Sequence, residues 1–349
     1  MPFARSRTLA TLAVLTLLVA LSPAPAARAQ AQTQTTPGAS RETGGASYAL
    51  PGDDVFPKGV AYDPAADAFY AGSTEDGTLY RGDRQTGAVT VFSEPGADGR
   101  TAVNGLKVDA AGRLYVAGRG TGRVFVYDTA SGDLIAQFAN DGAGDTLVND
   151  IALAPDGSAY VTDSTLPVLY RVPPPEAFVT GAATPAGGAA ELSVVLEFSD
   201  SVFPSTDGLN ATGIVVTPDG AFLLVISFDA GRLYRVDLAT EEVREVDLGG
   251  ATLASGNGLA LAGQTLYVVL TEDAAIAPVT LALDFASGSV GETITDPSFD
   301  YPTTIDLVDE RTALVANHQL ADGSPPTLPF TISEIALPAP VPAAATPAS

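Results

Sequence analysis

The chain of 349 residues has no cysteine, no tryptophan, a single histidine and two lysines. Without cysteine there are no disulfides, no thiolate metal sites and no cysteine nucleophile. One histidine excludes the multi-histidine zinc, copper and iron centres. Positive charge is also scarce, with 17 Lys+Arg against 41 Asp+Glu and a formal net charge of −24. That balance argues against nucleic-acid binding, which needs a basic footprint to displace phosphate counterions. The lysines occur as Pro57-Lys58 and Leu106-Lys107, so the Gly-Lys of a phosphate-binding loop is missing, and so is any G-x-S-x-G elbow. What the chain does have is turn-forming residue, 35 Gly and 26 Pro.

The ends read as segments outside the folded domain. Arg5 and Arg7 precede an apolar run from Leu9 to Leu21, and Ala27-Arg28-Ala29 has the small-x-small form of a cleavage site. Residues 1–29 are therefore expected to be an export signal, and the run is short for a membrane span of about 20 residues. Residues 30–45 are a Gln/Thr/Gly leader, 46–336 the folded domain, and 337–349 an unpacked Pro/Ala tail. The expected product is secreted or periplasmic, free of the membrane once the signal is cleaved, and monomeric. Loss of Arg5, Arg7 and Arg28 takes the charge from −24 to −27, which favours solubility at some cost in self-repulsion.

Internal self-similarity decides the fold. A polar or small pair, a short apolar alternation, an Asp/Gly turn and a β-rich run recur through the chain. The pairs open at Lys58-Gly59, Asn104-Gly105, Asn149-Asp150, Thr212-Gly213 and Asn257-Gly258, with a degenerate copy at Thr304-Ile305. Successive second residues are 46, 45, 63 and 45 apart, and the long step contains a Pro/Gly/Ala insertion from Pro173 to Ala190, expected to be a loop. Third strands follow in GTLYRGD, GRVFVYD, PVLYRV and GRLYRVD, and fourth strands in AVTVFSE, LIAQFAN, LSVVLEF and VREVDL. This is an all-β, six-bladed β-propeller of four-stranded antiparallel blades. Blade six lacks a fourth strand after FTISEIAL, and Ser47-Tyr48-Ala49-Leu50 is orphaned before blade one. The N-terminal segment is expected to close the last blade, because an open ring exposes strand edges.

In a propeller the first strand of each blade lines the channel and the second returns to the same mouth. Strand-one starts bring Lys58, Asn104, Asn149 with Asp150, Thr212, Asn257 and Thr304 to one rim. Strand-two ends bring Ser73, Arg119, Asp163, Ser227, Thr271 and Asn317-His318. A ring of amide oxygens with a carboxylate or two suits a hard cation such as calcium, and equally a polyhydroxylated ligand. Asn and Gly before a strand are also ordinary turn residues. The ligand-binding candidates are Lys58, Asn104, Arg119, Asn149, Asp150 and Asn257, and the partner expected in the channel is a small polar molecule. Asp163 and His318 are the candidate acid–base groups.

The stretches AVNGLKVDAAGRLYVAG and VNDIALAPDGSAYVTDS, within a sixfold repeat, resemble the senescence-marker-protein/gluconolactonase family. The resemblance spans roughly Val55 to Asn317, and diisopropylfluorophosphatase, paraoxonase and strictosidine synthase are more distant relatives. It implies one calcium in the central channel and hydrolysis of lactones or related esters. The family's metal is held by a Glu opening the first blade, an Asn opening a middle blade and an Asp opening the next, the Asp also serving as base. Asn149 matches the metal-binding Asn, and Asn104 matches a substrate-contacting one. The Glu position holds Lys58 and the Asp position Thr212. An ammonium beside a dication in a low-dielectric channel is costly, so Lys58 is expected to stand in for the ion, donating to Asn149 and to Asp150 or Asp163. Three functions fit: a lactone or ester hydrolase with an altered metal site, a propeller that binds a small ligand without turnover, and an extracellular interaction scaffold.

Overall fold

A computed structural model describes residues 45–140, 145–178, 188–198, 202–320 and 325–338. The expected signal peptide, most of the leader, and the tail from residue 339 lie outside these residues. Six antiparallel sheets follow one another along the chain. Their inner strands are Pro57–Asp63, Leu106–Val108, Val148–Leu153, Ala211–Val216, Gly256–Ala262 and Pro302–Asp309. Each inner strand packs beside the next and the last beside the first, closing the ring. The strands foreseen from the repeat are present in every blade, and Ser47–Ala49 pairs antiparallel with Thr331–Ala336 as the outer strand of blade six.

The insertion departs from expectation. Pro175–Ala177 forms a 3-10 turn, and Ala190–Glu191 runs parallel to Phe138–Ala139 as a fifth strand on blade two. It covers the edge that a four-stranded blade leaves open, while Phe178 and Leu192 bury themselves between blades two and three. Leu337, expected to begin the unpacked tail, is buried between blades five and six, and its N–H donates to Arg311 O.

The physical basis of the repeat lies in the seams and at the axle. Strand alternation turns one face of each blade toward its neighbour, and six apolar clusters fill the six seams. At the axle, a Cβ on Gly59 would lie 2.0 Å from Asn104 O, and one on Gly213 would lie 2.1 Å from Asn257 O. These glycines let adjacent inner strands meet backbone to backbone. Glycine in the opening pairs therefore serves ring closure as well as any site.

Much of the acidity is structural too. Asp83, Asp128 and Asp237 each end a strand and accept two backbone N–H groups of the following turn. Those hydrogen bonds hold the three carboxyls below the usual carboxylate range.

Arg100 is fully buried in the link between blades one and two. Its guanidinium donates to Gly77 O, the Tyr127 hydroxyl, Ser93 Oγ and Glu94 O, and lies over the Tyr127 ring. Replacing it with Met leaves these acceptors without a donor in a dry seam. Arg100→Met is expected to cost about 2–3 kcal/mol, measured by denaturant unfolding; an unshifted midpoint would show the guanidinium to be dispensable.

Candidate functional site

The channel opens at one mouth into a cavity of about 150 Å³. Lys58, Asn104, Arg119, Asn149, Asn257, Thr271 and His318 line it, as their positions in the repeat suggest. At blades one and six the neighbouring residues face the cavity instead of those expected, Thr74 for Ser73 and Thr303 for Thr304. The inner strands carry register shifts at this mouth, between Pro57 and Val60 and between Pro302 and Thr304. The same shift recurs in blades three, four and five, so Thr303 is the structural counterpart of Lys58 and Thr74 that of Thr271 and His318, one residue from the expected positions. Leu147, Leu209, Phe228, Tyr301 and Leu320 add an apolar collar that the sequence reading missed.

Lys58 Nζ is at the centre, donating to Asn257 Oδ1 at 2.9 Å and to Asn149 Oδ1 at 3.3 Å. Both carboxamides are held with their oxygens toward it. Asn149 Nδ2 donates to Ser164 Oγ at 2.6 Å, which in turn donates to Ala211 O. Asn257 Nδ2 donates to Thr271 Oγ1 at 3.1 Å. The expected contact with Asn149 is present, but the second acceptor is Asn257 rather than a carboxylate.

Asp150 lies below the cavity, filling space left by Gly105, whose Cβ would be 2.3 Å from Asp150 Oδ1. It accepts from Ile151 N and Ile214 N and faces Lys58 and Lys107 electrostatically. Burial raises its carboxyl above the usual range against the pull of both cations. Lys107 is held in turn by Asp306 at 2.6 Å, toward the far end of the channel.

Asp163 does not reach the cavity. Its carboxylate accepts from Thr146 Oγ1 and from the N–H groups of Leu147, Thr165 and Leu166, so it pins the loop beside the mouth. Thr212 donates to Gly256 O in the seam between blades four and five. His318 lines the wall, 3.4 Å from Thr74 Oγ1. Burial, with Lys58 and Arg119 nearby, pushes its imidazole down to about 3, so it is neutral near pH 7. Burial and Arg119 likewise lower Lys58 to about 8, although Asp150 opposes them. Asn104 is 3% exposed, yet its carboxamide has no hydrogen bond to a described residue, and the Arg119 guanidinium has no ion pair or hydrogen bond among them. Among the described residues no Asp or Glu lines the cavity.

Calcium does not fit this arrangement. It takes six to eight oxygens, usually including carboxylates, whereas here the two inward amide oxygens accept from an ammonium. Among the described residues no group of three His, Cys, Asp or Glu side chains could hold a metal.

A search with the sequence finds no matching family model and no matching curated protein. Solved structures match in fold. Regucalcin of Agrobacterium tumefaciens, described as a calcium-binding protein, superposes with a TM-score of 0.58 at 16% identity, covering 81% of this chain and 90% of that one. The major allergen Mala s 1 of Malassezia sympodialis gives 0.63 at 14% identity, covering 83% and 95%. Virginiamycin B lyase of Staphylococcus aureus gives 0.55 at 12% identity, covering 83% and 98%. At these identities the likeness shows the fold: the chain is a six-bladed β-propeller similar to regucalcin and to the streptogramin lyases.

Proposed function

We propose that the chain is a secreted propeller of the gluconolactonase-like kind whose central pocket has exchanged a metal for a lysine and binds a small carboxylate-bearing molecule. The observation that carries this reading is a local reversal of charge. In a chain of net charge −24, the cavity presents Lys58 and Arg119 with no carboxylate among its lining residues. One N–H of the Lys58 ammonium, the Arg119 guanidinium and the Asn104 carboxamide are uncommitted to described residues and can meet an anion. The apolar collar suits a short carbon chain. A volume of 150 Å³ corresponds to about five water molecules, so the ligand is a small organic acid, or a larger one that protrudes through the mouth.

Ligand binding is favoured over metal-assisted lactone or ester hydrolysis because the described residues of the cavity offer neither a carboxylate base nor a calcium ligand set. His318, neutral and weakly basic near pH 7, is a poor replacement for that base. The similarity to virginiamycin B lyase and to regucalcin supports the six-bladed fold that forms the channel. Isothermal titration with acetate, lactate and gluconate should show binding of at least one anion, unchanged by calcium or EDTA. Arg119→Ala and Asn104→Ala should weaken it, the Arg change by about tenfold or more, as for a charge-assisted hydrogen bond. Micromolar calcium binding, or lactone hydrolysis abolished by EDTA, would restore the metallohydrolase reading.

A further inference from the structure

The chain has only two lysines, and the fold treats them in opposite ways. Lys107 is tied to Asp306 at 2.6 Å and faces Asp150 as well, and those carboxylates raise its ammonium above the ordinary range despite burial. Lys58 has no carboxylate in hydrogen-bond contact among the described residues. It gives two N–H groups to neutral amide oxygens, leaves the third uncommitted among the described residues, and keeps part of its surface on the cavity. A desolvated amine next to another cation, here Arg119, is the arrangement that frees a lysine lone pair near neutral pH.

Resting on the anion-binding reading above, we propose that Lys58 is a carbonyl-capturing amine, forming a reversible imine with a short oxo acid whose carboxylate is held by Arg119 and Asn104. The Lys58 ammonium gives up a proton, and the Nζ lone pair attacks the carbonyl carbon while the C=O π pair moves to oxygen. That oxygen collects two protons, the one first released and one from the attacking nitrogen, and departs as water. A C=N bond replaces the C=O bond. The net change is ammonium plus carbonyl giving iminium plus water, so no outside oxidant or reductant is consumed. The remaining iminium N–H still has the Asn149 and Asn257 oxygens as acceptors. The neutral side chains of Asn104, Thr303 and His318 bring no negative charge that would re-protonate the amine permanently. Among the described residues Asp150 is the carboxylate that faces Lys58 electrostatically, and it lies outside the cavity lining.

The chain carries its own internal control. The full-length secreted protein is incubated near pH 7.5 with glyoxylate or pyruvate, and any imine is fixed with cyanoborohydride. Peptide mapping by mass spectrometry then compares Lys58, Lys107 and the chain's amino terminus. Of the two lysines, Lys58 is expected to take nearly all the modification, a preference over Lys107 on the order of a hundredfold from their difference in free amine, with the amino terminus as the solvent-exposed reference. Excess acetate should suppress it by competition, and Arg119→Ala should reduce it while Lys107 and amino-terminal labelling stay the same. Equal labelling of both lysines, or none at Lys58, overturns the imine. If acetate or lactate still binds by calorimetry, the anion pocket stands without it; if no carboxylate binds, both readings fall together.

Discussion

Removing the chain through Leu50 is expected to lower the melting temperature by about 10–20 °C and to broaden the transition. Tyr48 and Leu50 are almost completely buried between blades six and one. Each loses about 1.5–3 kcal/mol of burial when deleted. Tyr48 also donates to Glu334 Oε2 at 2.6 Å, the carboxylate that accepts from Arg84 Nε at 3.0 Å, so the deletion takes a member out of a blade-to-blade polar link. The backbone ladder from Ser47–Ser333 to Ala49–Thr331 disappears with it, and Thr331–Ala336 becomes a bare edge. The combined loss of about 5 kcal/mol or more is a large share of the roughly 5–15 kcal/mol by which a domain is stable. Scanning calorimetry, with a synthetic peptide of residues 45–52 added to the truncated chain, checks the mechanism. Partial recovery of the midpoint is expected. An unchanged midpoint on truncation would mean that the ring does not depend on its clasp.

The clasp was legible in the sequence because two incomplete units had to complete each other. Ser47-Tyr48-Ala49-Leu50 had no partner in blade one, and FTISEIAL had no following strand. Spacing also placed Lys58, Asn104, Arg119, Asn149, Asn257, Thr271 and His318 at one mouth, since homologous positions in a ring share a height along its axis. The errors have local causes. At blades one and six the expectation was one residue out of register: the inner-strand bulge recurs in blades one, three, four, five and six and makes Thr74 the counterpart of Thr271 and Thr303 that of Lys58. Asp163, an acid–base candidate by its place at a strand end, turns back onto its own loop instead of toward the channel. The backbone donors of Leu147, Thr165 and Leu166 decided for the loop. Leu209, Phe228 and Leu320 went unread because they lie just outside the strands, where alternation carries no signal. Arg100 was missed for a related reason: its acceptors, spread from Gly77 to Tyr127, converge only after blades one and two have docked.

Lys58→Met should make the folded protein more stable at pH 7 while reducing carboxylate binding on the order of a hundredfold, the cost of losing a charge-assisted contact. The Lys58 ammonium titrates near 8 in the folded chain against an ordinary value of 10.5. Desolvation is the main cause, Arg119 adds to it, and Asp150 opposes both. Below pH 8 both the folded and unfolded chains hold the proton, and the full penalty of burying the charge is present. Between about 8 and 10.5 the unfolded chain retains a proton that the folded chain has released. The unfolded state then binds more protons, so stability rises with pH across that window. The shift corresponds to about 3 kcal/mol as an upper figure. About 1–3 kcal/mol of stabilisation is therefore expected for the Met variant at pH 7, shrinking as the pH climbs toward 9.5. The amide oxygens of Asn149 and Asn257 border a cavity roomy enough for water, so solvent can replace their lost donor. Urea unfolding of both proteins at pH 7, 8, 9 and 9.5 isolates the effect, because Lys107 and the buried tyrosines titrate alike in each. A Met variant that is less stable at pH 7 would show that Lys58 is a structural tie of the axle. A more stable variant that no longer binds carboxylates would show that a buried charge is retained for the ligand at the expense of the fold.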